Sequence, residues 1–472
     1  MQEERYIVTA DLGTSKIALS VAKITGDRIE VLYYKETGSD GIRYSTVFNP
    51  KRAAEPLKNA IKDAEKELGI EITQMVIGLP RYSVRQESNS AEMHRSDPGS
   101  CVLQEEIDWL KNMALDSYPI NDETKEEIYG AIAQSFSSDD TFQGREEDIV
   151  GSPSDMLGGS FKVFIGSKKA VSNLDILMND ADVAIAQRCF LPVCTADAVL
   201  SSQEKDNGVA LIEMGAGVTS LSVCQNGILR YYGAIPFGGR NITNDIKYEC
   251  GFHEHLAENL KLGFGACMPE KLQNMSEKII QINDDESASY PELPVKYLSE
   301  IITCRAREII EAILFMIQES GYADKLRNGV VLTGGCANLT NLSNLIKEMS
   351  GYNVRIGYPK AKAITFEGYP AICETGAAAT VGMLLAARDN AFINCMDENN
   401  KEETQVNIGT IFNDSDDDEE EEVKKKNSSD KKRKAPKPEK PKKQHKAFTW
   451  GNGITSSLTK LGDLFDGMDN NE

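Results

Sequence analysis

The chain is short of the residues that build metal centres and disulfide frameworks. Its four histidines, His94, His253, His255 and His445, are too scattered for metal–histidine chemistry. Its ten cysteines form no Cys-x-x-Cys pair and no Cys/His cluster with zinc spacing. Several, such as Cys224 and Cys304, stand in apolar stretches and read as reduced, buried thiols in a reducing compartment. No run reaches the ~18–20 apolar residues that a membrane span needs. The nearest, Thr375 to Ala387, is short and rich in Ala and Gly, and reads as a tightly packed internal helix. The start lacks a basic segment leading into an apolar one, so no secretory signal is expected. Basic charge is in deficit too, with 52 Lys and Arg against 73 Asp and Glu. A net charge of −21 argues against a nucleic-acid binder, because phosphate attraction needs a basic surface, and favours a dispersed cytosolic protein.

What is present is an ordinary globular composition, 40% hydrophobic and 26% charged, on 472 residues, long enough for two to four domains. Three short runs rich in Val, Ile and Tyr (Tyr6–Ala10, Ile17–Ile24, Arg28–Lys35) predict strands, with turns at Gly13 and at Thr25-Gly26-Asp27. Asn49-Pro50 opens a helix with Leu57, Ile61, Ala64 and Leu68 on one face, and Met75–Leu79 reads as a buried strand. From 82 to 166 the pattern is polar and turn-rich until the strand Phe161–Gly166, which marks an inserted small α/β subdomain. A helix (169–180) and a strand (Ala184–Leu191) return the chain to the main body. The strand–turn–strand–turn–strand–helix order then restarts at 208. At one gapless offset Asp11 pairs with Glu213, Gly13 with Gly215, Ser15 with Gly217, and Leu19-Ser20-Val21 with the identical Leu221-Ser222-Val223. A repeat of this length is a domain duplication.

The two turns carry the chemistry. In Asp11-Leu12-Gly13-Thr14-Ser15-Lys16, Gly13 lets backbone approach a phosphate closely, Thr14 and Ser15 add donors, and Lys16 adds a point charge. In Glu213-Met214-Gly215-Ala216-Gly217-Val218-Thr219, Gly215 and Gly217 repeat the close approach and Thr219 is a further donor. Asp11 and Glu213 sit at strand ends, where two carboxylates can hold Mg²⁺ directly or through water. Each loop alone is more often a plain structural turn. A third element, Val330-Val331-Leu332-Thr333-Gly334-Gly335-Cys336-Ala337-Asn338, runs from an apolar strand into Gly-Gly and a helix from about Asn338 to Ser350. It presents Gly334, Gly335 and Ala337 to a flat or anionic ligand part. Together the three fit ATP with Mg²⁺ clamped between two lobes.

These elements, in this order, resemble the phosphate-one, phosphate-two and adenosine motifs of the actin, sugar-kinase and heat-shock chaperone ATPase superfamily. Within it, Ala234-Ile235-Pro236-Phe237-Gly238-Gly239-Arg240-Asn241-Ile242-Thr243-Asn244-Asp245-Ile246 is similar to a segment typical of the bacterial cell-division actin family FtsA. His253 to Gly265, with Glu258 and Lys261, is similar to that family's helix bordering adenine. The resemblance runs from about Tyr6 to Arg388. It implies an α/β, actin-like two-lobed fold built from duplicated ribonuclease-H-like domains, with an FtsA-type subdomain inserted. On that scheme 1–81 and 167–205 form the first lobe around the insertion 82–166. Residues 206–266 and 329–395 form the second, around a subdomain at 267–328. The resemblance also implies self-association, other division proteins as partners, and FtsZ bound through the 267–328 region, including the helix Val295–Ile317. It places the chain on the cytoplasmic side of the bacterial inner membrane at the division site. Two departures, Glu213 in place of the usual Asp and no water-orienting Gln in the helix after Pro192, lead us to expect slow ATPase activity at most. A small-molecule kinase and a pilus-assembly ATP-binding protein of related fold are the alternatives.

The C-terminal stretch has its own logic. An acidic run, Asp414 to Glu422, precedes a basic, Pro-containing one with nine Lys or Arg against one Glu between 431 and 446. Residues 396–447 cannot bury a core and are expected to be a disordered linker. In the last segment, 448–472, Trp450, Ile454, Leu458, Leu461, Leu464, Phe465 and Met468 share one face at helical spacing. This face predicts a weak amphipathic membrane-targeting helix, backed by the basic run upstream. A helix that docks on the body or a partner is the other reading. The basic run alone could equally be a solvated linker that touches nucleic acid nonspecifically.

Overall fold

The computed structural model describes residues 4–97, 99–139, 142–282, 292–360, 362 and 364–396. The acidic and basic runs and the amphipathic segment with Trp450, Ile454, Leu458, Leu461, Leu464, Phe465 and Met468 lie outside the described residues.

Two mixed sheets of the same construction organise the chain. In the first, the strand Arg5–Leu12 pairs antiparallel with Lys16–Thr25, which pairs with Arg28–Gly38. On the other side Gln74–Gly78 and then Ala184–Cys189 add in parallel, and Ile364–Thr365 closes the far edge. In the second, Val209–Met214 pairs with Thr219–Gln225 and that with Ile228–Ile235, while Val330–Thr333 and Val354–Ile356 add in parallel. Central strands are mostly apolar up to their carboxyl ends, and Ile7, Val8, Ala210, Val330 and Leu332 are fully buried. This is the signature of parallel pairing with both sheet faces covered. The helix Pro50–Leu68 starts where Asn49 accepts from the Arg52 amide and stops at left-handed Gly69. Its Ala53, Leu57, Ala60, Ile61 and Ala64 are buried.

The duplication is legible in the registers. Asp11 faces Ala18 and Leu12 faces Ile17; Glu213 faces Ser220 and Met214 faces Thr219. A bulge falls between Val21 and Ala22 in one copy and between Val223 and Cys224 in the other. Beyond the bulge the second hairpin is shorter and turns on Asn226-Gly227, both with positive φ, as a tight two-residue hairpin requires. The two-lobed, actin-like α/β fold expected from the sequence is therefore the observed one.

Between Gln74–Gly78 and Ala184–Cys189 lies a separate four-stranded antiparallel sheet, ordered Arg85–His94, Met156–Ser167, Glu126–Ser138, Phe142–Gly144. The helix Gln104–Asp116 packs on it over a core that includes Ile107, Leu110, Phe136, Leu157 and Phe161. This sheet touches the second lobe along the edge strand Ile228–Ile235. Arg230 donates to the Gln134 carbonyl at 2.8 Å, and the Tyr232 amide donates to Gln86 Oε1 at 3.1 Å. The rings of Phe164, Phe190 and Tyr232 cluster there, one ring each from the inserted sheet, the first lobe and the second lobe.

Three local expectations change. The strand from Ala184 ends at Cys189 rather than Leu191, because Leu191-Pro192 opens the helix Leu191–Val199. The helix expected from Asn338 begins at Leu342. Gly335–Asn338 is a 3₁₀ turn, and Thr340 then pairs with Ala266, its carbonyl accepting from the Cys267 amide at 2.8 Å. Cys304 is exposed, on the outer face of the helix Val295–Glu319, while Cys224 is buried as expected.

Thr375 and Ala377 are buried, and the helix Ala378–Arg388 continues from them as a tightly packed internal helix. It crosses Leu191–Val199 at Gly382, where a Cβ would run into the Cys194 carbonyl. Gly382→Val should destabilise the chain by roughly 1–3 kcal/mol through overpacking, read as a lower urea midpoint at unchanged slope.

Candidate functional site

The two Gly hairpins meet across a cleft of about 700 Å³ between the sheets. Each closes with the same bond, from the Gly13 amide to the Lys16 carbonyl at 3.0 Å and from the Gly215 amide to the Val218 carbonyl at 2.9 Å. A Cβ on Gly217 would stand 2.7 Å from Thr14 Oγ1, so glycine is what allows the loops to touch. The second loop is fixed from behind by the helix Gly239–Cys250. Amides at its start, Gly239 and Arg240, donate to the carbonyls of Gly215 (2.9 Å) and Ala216 (2.7 Å).

Where the strands end, Asp11 and Glu213 face one guanidinium. Arg81 Nη1 lies 3.4 Å from Asp11 Oδ1, and Nη2 lies 3.1 Å from Glu213 Oε1. All three side chains are nearly buried. Nη1 also donates to Ser45 Oγ at 3.3 Å, and Thr195 donates to Glu213 Oε2 at 3.2 Å. Burial works against the Arg81 charge, but Glu213 and Asp11 more than offset it and hold its pKa above the ordinary arginine value. Burial pushes the Glu213 carboxyl above its ordinary value, against the pull of Arg81 and with a further push from Asp11. Lys16 is committed elsewhere. It pairs with Glu36, which also accepts from the Tyr34 hydroxyl at 2.6 Å.

The far wall comes from the strand Val330–Thr333 and the helix Glu254–Phe264. Gly334 has φ +89°, and a Cβ there would stand 2.5 Å from the Met214 carbonyl. Lys261 Nζ is buried against the Gly239 carbonyl (3.1 Å), Thr243 Oγ1 (2.8 Å) and Glu258 Oε2 (2.7 Å). Leu262, Phe264, Met275 and Leu339 leave an apolar slot beside it. One end of the cleft is thus rich in backbone amides and charge, and the other is apolar.

Comparison with known proteins identifies the lineage. The FtsA family model, described as "Cell division protein FtsA", matches residues 210–380. The chain is 30% identical over 358 residues to the Cell division protein FtsA of Borreliella burgdorferi, covering 75% of this chain and 84% of that one. The chain belongs to the FtsA family. FtsA of Neisseria meningitidis serogroup B is 29% identical, covering 76% of this chain and 85% of that one. FtsA of Bacillus subtilis is 27% identical, covering 76% and 80%. Among solved structures, the PilM-PilN type IV pilus biogenesis complex matches with a TM-score of 0.55 at 15% identity, covering 81% of this chain and 98% of that one; the likeness is one of fold.

Of the residues singled out in the sequence of this FtsA-family chain, Asp11, Gly13, Thr14, Ser15, Lys16, Glu213, Gly215, Gly217, Glu258, Lys261, Gly334 and Gly335 line the cleft. Thr219 and Ala337 do not. Thr219 is buried with its hydroxyl given to the Phe237 carbonyl at 2.8 Å, and Ala337 is buried behind the Gly-Gly turn. Sequence reading passed over Arg81 and Ser45. Ser45 sits with Tyr44 in a loop where both have positive φ, and its amide donates to Thr14 Oγ1 at 3.1 Å. The sequence carries no local signal for Arg81; the strand pairing in the two sheets, which matches Val76 to Val331, is what aligns it with Cys336 of the third motif. Among the described residues no group of three His, Cys, Asp or Glu stands together as a metal site. Asp11 and Glu213 fit a magnesium ion only where phosphate oxygens and water complete its shell, which is Mg²⁺'s usual habit.

The raised Glu213 pKa has a sign. The folded state holds that proton more readily than the unfolded chain, so the group's stabilisation is full below its ordinary value of 4.5 and is lost as pH rises through the raised one. The melting temperature of the ligand-free chain minus that of Glu213→Gln should therefore fall across that window. A flat or rising difference would show that Arg81 dominates instead.

Proposed function

We propose that this FtsA-family chain binds ATP with Mg²⁺ in the interlobe cleft, self-associates through its lobes, and ties FtsZ to the cytoplasmic face of the membrane at the division site. The observation that carries the nucleotide reading is the pair of identically registered hairpins that bring Thr14 and Gly217 within van der Waals reach across the cleft. Loop amides at Gly13–Ser15 and Gly215–Gly217 would take the phosphates. Asp11 and Glu213 would hold the magnesium ion, which supplies charge neutralisation for the polyphosphate. The apolar slot at Leu262, Phe264 and Met275 suits the base, with Glu258 and Lys261 at its edge.

Hydrolysis should be slow. Glu213 is engaged by Arg81 and Thr195, and the helix Leu191–Val199 offers no Gln or free carboxylate to orient water. At the phosphate end Asp11 and Glu213 share Arg81 and Glu36 holds Lys16, so none of the three is the unpaired acidic base that a small-molecule kinase would need. Steady-state turnover is expected below about 1 s⁻¹, the low end of typical enzymes; a faster rate in a phosphate-release assay would end the slow-ATPase reading.

FtsZ as partner rests on family membership. The membrane tether rests on the amphipathic pattern of 450–468 and the basic run before it. Among the described residues no helix is long and apolar enough to cross a membrane. Liposome co-sedimentation of the full chain and of a version ending at Lys446, each with and without ATP and FtsZ, tests the tether. The full chain should pellet and carry FtsZ, and the shortened chain should leave both in solution. Equal pelleting would make 448–472 a docking segment.

A further inference from the structure

Arg81 stands where the two hairpins meet, with a donor to spare. It is nine-tenths buried. Nη1 serves Asp11 and Ser45 and Nη2 serves Glu213, while Nε is buried and has no hydrogen-bond partner among the described residues. The amide-rich end of the cleft holds three carboxylates, Asp11, Glu36 and Glu213, against Lys16 and Arg81, and Lys16 is spent on Glu36. A polyphosphate entering there meets net negative charge unless it brings a cation. Carboxylates that turn to such a cation leave the guanidinium without its two acceptors. A buried guanidinium needs anionic acceptors in fork geometry, and a phosphate group offers them. None of Arg81's contacts is to the apolar slot, so the phosphate within its reach is the one furthest from the base.

We propose that Arg81 reads the terminal phosphate of a nucleoside triphosphate. It pairs the carboxylates of both lobes in the ligand-free chain and exchanges them for that phosphate when the triphosphate binds. A diphosphate lacks the group and so offers Arg81 no phosphate acceptor in exchange. This inference rests on the nucleotide reading above and goes beyond it by assigning the discrimination to one side chain.

The test is the ratio of Kd values for ADP and for a non-hydrolysable ATP analogue, both with Mg²⁺, by titration calorimetry on the full chain. The unaltered chain should prefer the triphosphate. Arg81→Gln should weaken triphosphate binding at least about tenfold, as loss of a charged hydrogen bond does, and change ADP binding by less than about threefold. Arg81→Gln leaves two buried carboxylates facing each other without a cation, so Arg81→Lys is measured beside it, with folding checked by circular dichroism. Lysine keeps the charge but not the fork, and should lower the ratio about fivefold. A folded variant with an unchanged ratio overturns the role of Arg81 while the nucleotide site stands. Failure of the unaltered chain to bind either nucleotide overturns the site, and this inference with it.

Discussion

Asp11 and Glu213 reach the same point from separate halves of the chain, and a single guanidinium answers both. Buried carboxylates are costly unless paired, and two of them side by side are costlier still. Arg81 resolves that cost for both lobes at once. The carbonyl of the same residue accepts from the Tyr232 hydroxyl at 2.5 Å, so the residue is tied to the second lobe by backbone as well as side chain.

The rest of the architecture serves that meeting. Parallel strands Gln74–Gly78 and Val330–Thr333 end on the same side of their sheets as Arg5–Leu12 and Val209–Met214, and their carboxyl ends open into the cleft, where ligands of such sheets bind. The helix Gly239–Cys250 spends its first amides on the second loop. The loop geometry is therefore set before any ligand arrives, as preorganised sites require. The aromatic contact of Phe164, Phe190 and Tyr232 sits directly behind Arg81 and joins the inserted antiparallel sheet to both lobes.

Much of this was legible in the sequence because it is local or repeated. Strand periodicity, the Asn49-Pro50 cap and the matched Asp11/Glu213 and Gly13/Gly215 pairs depend on neighbours in the chain, and the hairpin registers follow them. The misses are contacts between residues distant in sequence. Arg81 stood as the last residue before a polar insertion, and only pairing across the lobes reveals its partners. Thr219 has the right residue type but points to the Phe237 carbonyl. Lys16 does line the cleft, but its pairing with Glu36 from the next strand over was not foreseen. The start of the helix near Asn338 moved because Thr340 is claimed by Ala266, and Cys304 was misjudged because a helix in an apolar stretch still has an outer face.

The bulges at Val21/Ala22 and Val223/Cys224 show that both hairpins descend from one plan, and such a plan builds a cleft with near twofold symmetry. A ligand with unlike ends cannot use a symmetric cleft. The two copies part company most sharply just past the parallel strands, where Leu79-Pro80-Arg81 stands in one half and Gly334-Gly335-Cys336 in the other. One copy has become a rigid, cationic stop and the other a bare, yielding surface. Duplication supplied the frame, and polarity entered through three residues, which gives the cleft a head and a tail.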